Sequence, residues 1–247
     1  MSYLLEIIGF SIEGCVIAQN AGAQRIELCD NPGEGGTTPS YGFIKAARAK
    51  LQIDLFPIIR PRGGDFLYSD EEFAIMRSDI KLCKDLGCDG VVTGILQADG
   101  SIDKKRTGQL VELAYPMGVT FHRAFDRTKN AAEALEDIID IGCERILSSG
   151  LQPTAMEGAA TIAALIEQSN ERIIIMPGSG VRADNIRELA RLTGAAEFHS
   201  SARIFNSSQM QYNNPAMKEE LKAVTADALE IENLSKILQE ISSTAQK

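Results

Sequence analysis

Four segments of the chain follow one pattern: GAQRIELCD at 22–30, GCDGVVTG at 87–94, GCERILSSG at 142–150 and GAAEFHSS at 194–201. Each opens with glycine and a small residue, passes one or two polar residues, and enters an apolar run. A glycine placed there closes a helix in the left-handed conformation, and the run behind it reads as a β-strand. Four more strand-like runs lie between them: LLEII (4–8), DLFPIIR (54–60), VTFH (119–122) and RIIIM (172–176). Eight strands are therefore expected, near 3–8, 25–30, 54–60, 90–94, 119–123, 145–149, 172–177 and 197–201.

The intervening segments read as helices. Ser69 and Glu72 form a capping box before a long amphipathic run, Thr38 and Pro39 suit the start of YGFIKAARAK, Asn130 caps AAEALEDIIDI, and Asp184 begins NIRELARLTG. Strands alternating with helices specify parallel βα units. Eight of them in a single domain spanning 1–247 favour the α/β class as a closed (β/α)8 barrel, the TIM-barrel architecture, over an open doubly wound sheet. No GxGxxG follows the first strand, which weakens the dinucleotide-binding alternative. Residues 204–229 read as an irregular insertion before a last helix around LEIENLSKILQEI; a lid, a dimer contact and a simple loop are all open for it.

Charge excludes some partners. A formal net charge of −9 and a pI near 4.9 give no basic footprint for nucleic acid or an anionic membrane. No apolar run approaches the roughly 20 residues that span a bilayer. The opening MSYLLEIIGF lacks a basic leader, so a cytoplasmic protein with reduced thiols is expected. Its five cysteines form no CxxC pair, which argues against structural zinc.

In a barrel of this kind, residues alternate between the helix layer and the interior, and the C-terminal strand ends form the active site. Leu5, Ile7, Ile26, Leu28, Phe121, Ile146 and Phe198 mark the helix-facing parity. The other parity puts Glu6, Glu27, Arg60, Thr93, His122, Ser149, Met176 and His199 inside. The chain has only two histidines, and both fall at C-terminal strand ends. Glu6 and Glu27 could instead pair with arginines in a purely structural network, although such pairs are weak evidence for stability.

Loop chemistry points to a small anion. In IIRPRGGDFLYSD, Arg60 and Arg62 flank a proline and two glycines free the backbone before Asp65, a pattern suited to carboxylate or phosphate. Arg123, Asp126 and Ser149, then Gly178, Ser179 and Gly180 of MPGSGV, and Ser200 and Arg203 of HSSAR, are the other candidate ligand-binding residues. The glycine-rich NPGEGGTTPS after strand 2 is placed to fold over the mouth. As an enzyme on a small anionic metabolite, the chain would use His122 or His199 as general acid or base and Glu6 or Glu27 to orient or accept a proton. A divalent metal held by these carboxylates and histidines is a further alternative. Three classes drop out: no lysine lies in an expected strand for a Schiff base, strand 1 has no HxH, and no GxSxG is present.

HRAFD, IRPRGGDFLYS, the IELC–EGGTTPS pair, IMPGSG and EFHSSAR, in that set, resemble the copper homeostasis protein CutC family from the first strand to about residue 203. The resemblance implies a cytosolic (β/α)8 barrel that forms homodimers or higher homo-oligomers and is associated with copper tolerance. It also implies copper(I) bound by cysteines at the ends of the first two strands. Cys29 matches one of these, and Ile8 stands where the other is expected. Copper(I) favours two or three soft ligands, so a second would have to come from Met176, a histidine, or Cys29 of a second copy. Cys15, Cys83, Cys88 and Cys143 read as packing residues.

Overall fold

The computed structural model describes residues 3–218 and 220–244. Gly22, Gly87, Gly142 and Gly194 all take positive φ, from 72° to 102°, each at the turn from a helix into the next strand. A side chain would be strained there, so the repeated glycine is what lets each unit reverse sharply.

The elements are β1 (Leu4–Gly9), α1 (Ile12–Asn20), β2 (Arg25–Leu28), α2 (Tyr41–Lys50), β3 (Asp54–Pro57), α3 (Asp70–Asp85), β4 (Gly90–Thr93) and α4 (Lys104–Ala114). They continue with β5 (Gly118–Phe121), α5 (Ala131–Ile141), β6 (Arg145–Ser148), α6 (Ala159–Ser169), β7 (Ile174–Pro177), α7 (Ile186–Thr193) and β8 (Glu197–Ser200). Last come β9 (Arg203–Ser207), β10 (Lys222–Ala226) and α8 (Ala228–Thr244). Parallel ladders run β3-β2-β1-β8 and β4-β5-β6-β7. A parallel bridge between Ile58 and Val92 joins β3 to β4, and β7 packs beside β8, so the eight strands form a (β/α)8 barrel.

Alternation divides the core in two. Leu5, Ile7, Ile26, Leu28, Phe121, Ile146 and Phe198 pack with helix residues such as Ile44, Ile80, Leu135 and Leu234 in the main cluster. Cys29, Phe56, Ile58 and Val92, with Ile8 and Phe10 against them, form a second cluster. On β4 it is therefore Val92, not Thr93, that belongs to this inner set, while Thr93 donates its hydroxyl to the Ile59 carbonyl.

Several expected boundaries move. β2 and β3 end at Leu28 and Pro57, so Cys29 and Arg60 lie in the segments that leave the strands. Ser69 and Glu72 do form the capping box, and the Asn130 side chain accepts from the Glu133 N–H. Ser40, not Thr38, caps α2; the Thr38 hydroxyl instead accepts the Arg60 N–H and ties the glycine-rich loop to the end of β3. Asn185, rather than Asp184, directly precedes α7. The 204–229 segment is not wholly irregular: β9 and β10 pair antiparallel from Arg203–Ala226 to Ser207–Lys222, and α8 begins at Ala228.

Candidate functional site

The C-terminal ends of the strands surround a cavity of about 830 Å³. Glu27, Arg60, Phe66, His122 and His199 line it, together with Gly33–Gly35 of the loop after β2 and Ser179–Gly180 of the loop after β7. Both histidines thus share one cavity, as the strand pattern predicts.

The β8–β1–β2 side carries coupled titratable groups. Adjacent parallel register brings His199 beside Glu6, and its Nδ1 lies 2.8 Å from Glu6 Oε1. Its Nε2 lies 3.7 Å from Glu27 Oε2. Burial works to raise the Glu6 carboxyl, but the Arg25 guanidinium and His199 outweigh it and bring it down to about 2. Burial raises Glu27 to about 7, against the opposing pull of His199. Burial would lower His199, yet its two carboxylate neighbours hold it above its ordinary value. Glu27 and His199 thus face each other at the cavity wall with both groups shifted upward.

Deeper in the barrel a charge network fixes Glu6. Arg25 Nε donates to Glu6 Oε2 at 2.5 Å and Nη2 to Glu197 Oε2 at 2.5 Å. Arg145 Nε reaches the same Glu197 oxygen at 3.2 Å. The Phe56 ring lies 5.1 Å from the Arg25 guanidinium carbon and 5.2 Å from that of Arg145. Arg25, Arg145 and Glu197 were absent from the sequence reading. They sit two residues before Glu27, Leu147 and His199, and that period of two was the signal available for finding them.

The β3–β5 side is built differently. Arg60 Nη1 donates to the Glu34 and Gly36 carbonyls at 2.6 and 2.8 Å, and Nη2 to the Gly64 carbonyl at 2.8 Å. His122 lies just past β5 and caps a short 3-10 turn, its Nδ1 accepting the Ala124 N–H at 3.3 Å. Burial, reinforced by Arg60, pushes His122 down to about 3. It is a neutral imidazole with its proton on Nε2. Phe66 packs on both groups, 5.0 Å from the Arg60 guanidinium carbon and 4.9 Å from the His122 ring centre.

Other expected ligand residues divide into lining and supporting groups. Arg123, Asp126, Ser179, Gly180 and Arg203 line the cavity. Asp126 is already engaged, accepting from Arg123 Nε, the Ser148 hydroxyl and the Ser149 and Leu151 N–H groups. Ser149 is buried behind this rim and receives Arg123 Nη2. The buried Ser200 hydroxyl donates to the Val181 carbonyl. Gly178 does not line the cavity; a Cβ there would lie 2.4 Å from Leu147 Cδ1 and 3.4 Å from His199 atoms. Arg62 and Asp65 also lie outside the lining. Arg62 turns to Glu72, Asp65 and loop carbonyls, because alternation does not continue through the turn after Pro61.

Copper(I) fits this donor set poorly. Cys29 is fully buried, and burial together with Glu27 and Glu6 holds its thiol well above the usual range, against the thiolate that copper needs. Ile8 offers no donor, and Met176 Sδ is taken by Arg25 Nη2 at 3.4 Å. Glu6, Glu27 and His199 do bring three donor atoms within 4.8 Å of one another. Both Glu6 oxygens, however, are spent on Arg25 and His199. These are hard and borderline donors that satisfy each other, not a soft site.

The fold and this pocket define a (β/α)8-barrel protein with a polar, ligand-sized site at the C-terminal mouth of its strands. Residues 3–204 match the CutC family profile, and the chain belongs to the CutC family. It is 56% identical over 212 residues to a family protein CutC of Chromobacterium violaceum, covering 86% of each chain. It is 46% identical over 215 residues to the human "Copper homeostasis protein cutC homolog", covering 87% of this chain and 79% of that protein. Among solved structures, a putative copper homeostasis protein CutC from Streptococcus agalactiae superposes with a TM-score of 0.77 at 36% identity, covering 81% of this chain and 98% of the other. Among the described residues no helix is long and apolar enough to cross a membrane.

Proposed function

We propose that the chain is an enzyme that transfers a proton on a small anionic metabolite bound in the barrel mouth. The observation that carries this reading is His199, held between Glu6 and Glu27 on the cavity wall. Glu6, locked as a carboxylate by Arg25, fixes the orientation of the imidazole through Nδ1. That leaves Nε2 and the Glu27 carboxyl to give or take a proton at working pH. Arg60 supplies the positive side of the same cavity. His122, kept neutral, is a donor rather than the acid or base.

The test is solvent-deuterium incorporation, followed by NMR, into a panel of small hydroxy acids, oxo acids and phosphate esters. Exchange into at least one compound is expected, with His199→Asn and Glu27→Gln each slowing it by about 100-fold or more. Exchange that survives both substitutions would remove the pair from the chemistry, and no exchange across the panel would count against the enzyme.

Copper binding is the second reading, supported by the name of the human relative and by Cys29. With Cys29 the one thiol at the expected strand ends, this reading has two copies share a copper(I) ion. Anaerobic copper(I) titration would then give half-stoichiometric binding that Cys29→Ser abolishes, accompanied by self-association. A cytoplasmic, self-associating protein is part of our proposal. Five free, buried cysteines support the reducing compartment, and exposed Ile204, Phe205, Met210 and Tyr212 around the β9–β10 ribbon support an interface.

A further inference from the structure

Five buried side-chain polar atoms among the described residues have no hydrogen-bond partner, and three of them belong to Arg60, Tyr68 and His122. They are Arg60 Nε, the Tyr68 hydroxyl and His122 Nε2; the Tyr68 hydroxyl faces the Arg60 guanidinium, whose charge also acts on His122. Three arginines are buried among the described residues. Arg25 and Arg145 are paired with glutamates; Arg60, 5% exposed, is held by neutral carbonyls and forms no ion pair among the described residues. A buried cation without an anion is strongly unfavourable unless something else supplies the charge. His122, 4% exposed, lines the same cavity.

We propose that Arg60 and His122 form the subsite for a carboxylate group of the ligand, with Arg60 as its counter-ion and Nε2–H of His122 as its second donor. This rests on the reading of the mouth as a site for a small anionic metabolite, and narrows it. The buried charge selects the carboxylate. Three of the five N–H groups of Arg60 are spent on carbonyls, which leaves Nε–H and one N–H of Nη2. The single charge buried on this wall matches a monoanion; a phosphate ester, with its second charge, would be drawn to the exposed Arg123 and Arg203 at the rim of the same cavity. Phe66 stands over both groups and walls the subsite on its apolar side.

Calorimetric titration of the full chain with glycolate, and separately with inorganic phosphate, tests this. Glycolate is expected to bind saturably, and phosphate at least tenfold more weakly. His122→Asn retains an acceptor for the Ala124 N–H and removes Nε2–H, and Arg60→Lys keeps the charge and removes Nε–H. Each is expected to weaken glycolate by about 10-fold to 100-fold, while their unfolding midpoints report whether the fold survives. Glycolate binding without any proton exchange would sink only the enzymatic reading. Equal glycolate binding by wild type, folded His122→Asn and folded Arg60→Lys overturns the subsite, as does phosphate binding more tightly than glycolate.

Discussion

The interior of the barrel holds two charged regions built to opposite rules. Toward the floor, Glu6, Arg25, Glu197 and Arg145 hold one another, and each charge meets its opposite within 3.2 Å. On the β3–β5 wall of the mouth, Arg60 meets neutral groups, and His122 leaves Nε2 unpaired. The first region is complete without a ligand. The second carries a charge that forms no ion pair among the described residues and an imidazole nitrogen without a partner, and our proposal gives both to a ligand. The difference separates scaffold from site more sharply than burial, which is nearly the same for both.

The largest effect should come from breaking the completed region. Arg25→Leu takes from the buried Glu6 and Glu197 the cation they share and is expected to lower unfolding free energy by about 3–5 kcal/mol in urea titration. Removing the exposed Arg172–Glu136 pair should leave the midpoint unchanged. If Arg25→Leu also left it unchanged, the floor would not be a scaffold.

Acid titration sharpens the contrast next. His122 is depressed to about 3 from an ordinary 6.5. The unfolded chain therefore takes up its proton first. The stability tied to this residue is present above pH 6.5 and is lost as pH falls toward 3, by up to about 4 kcal/mol. His122→Asn should flatten that acid limb; an unchanged limb would show that the imidazole is not held neutral.

Glu27 behaves in the other direction. Its carboxyl is raised to about 7, so its contribution is intact below about 4.5 and is lost as pH rises through 7. Glu27→Gln should be more stable than wild type at pH 8 by about 1–3 kcal/mol and no more stable at pH 4. Equal curves at both pH values would contradict a strained carboxyl at the mouth. The smallest effect is expected for Gly178→Ala, whose Cβ presses on Leu147 Cδ1 at 2.4 Å. A loss of about 1 kcal/mol in thermal unfolding is expected, because a leucine tip can shift.

Much of this architecture was legible in the sequence because it rests on periodicity. The glycine repeat marked the helix-to-strand reversals, and alternation placed Glu6, Glu27 and His199 on one side of their strands. Where periodicity stops, the reading failed. Arg62 follows a proline turn and faces Glu72, away from the cavity. The β4 run GVVT is apolar at two successive positions, so its parity could not separate Val92 from Thr93. β9 is exposed along its whole length and carries no core pattern to announce it. The counter-ion status of Arg60 depends on which groups its guanidinium meets across loops, which spacing along the chain does not encode.

Because the chain has only two imidazoles, histidine-labelled nitrogen NMR across pH can watch both walls of the mouth at once. The account predicts that His122 stays neutral with its proton on Nε2 down to at least pH 4, while His199 remains protonated above pH 6.5. Two imidazoles titrating together near their ordinary value would contradict it.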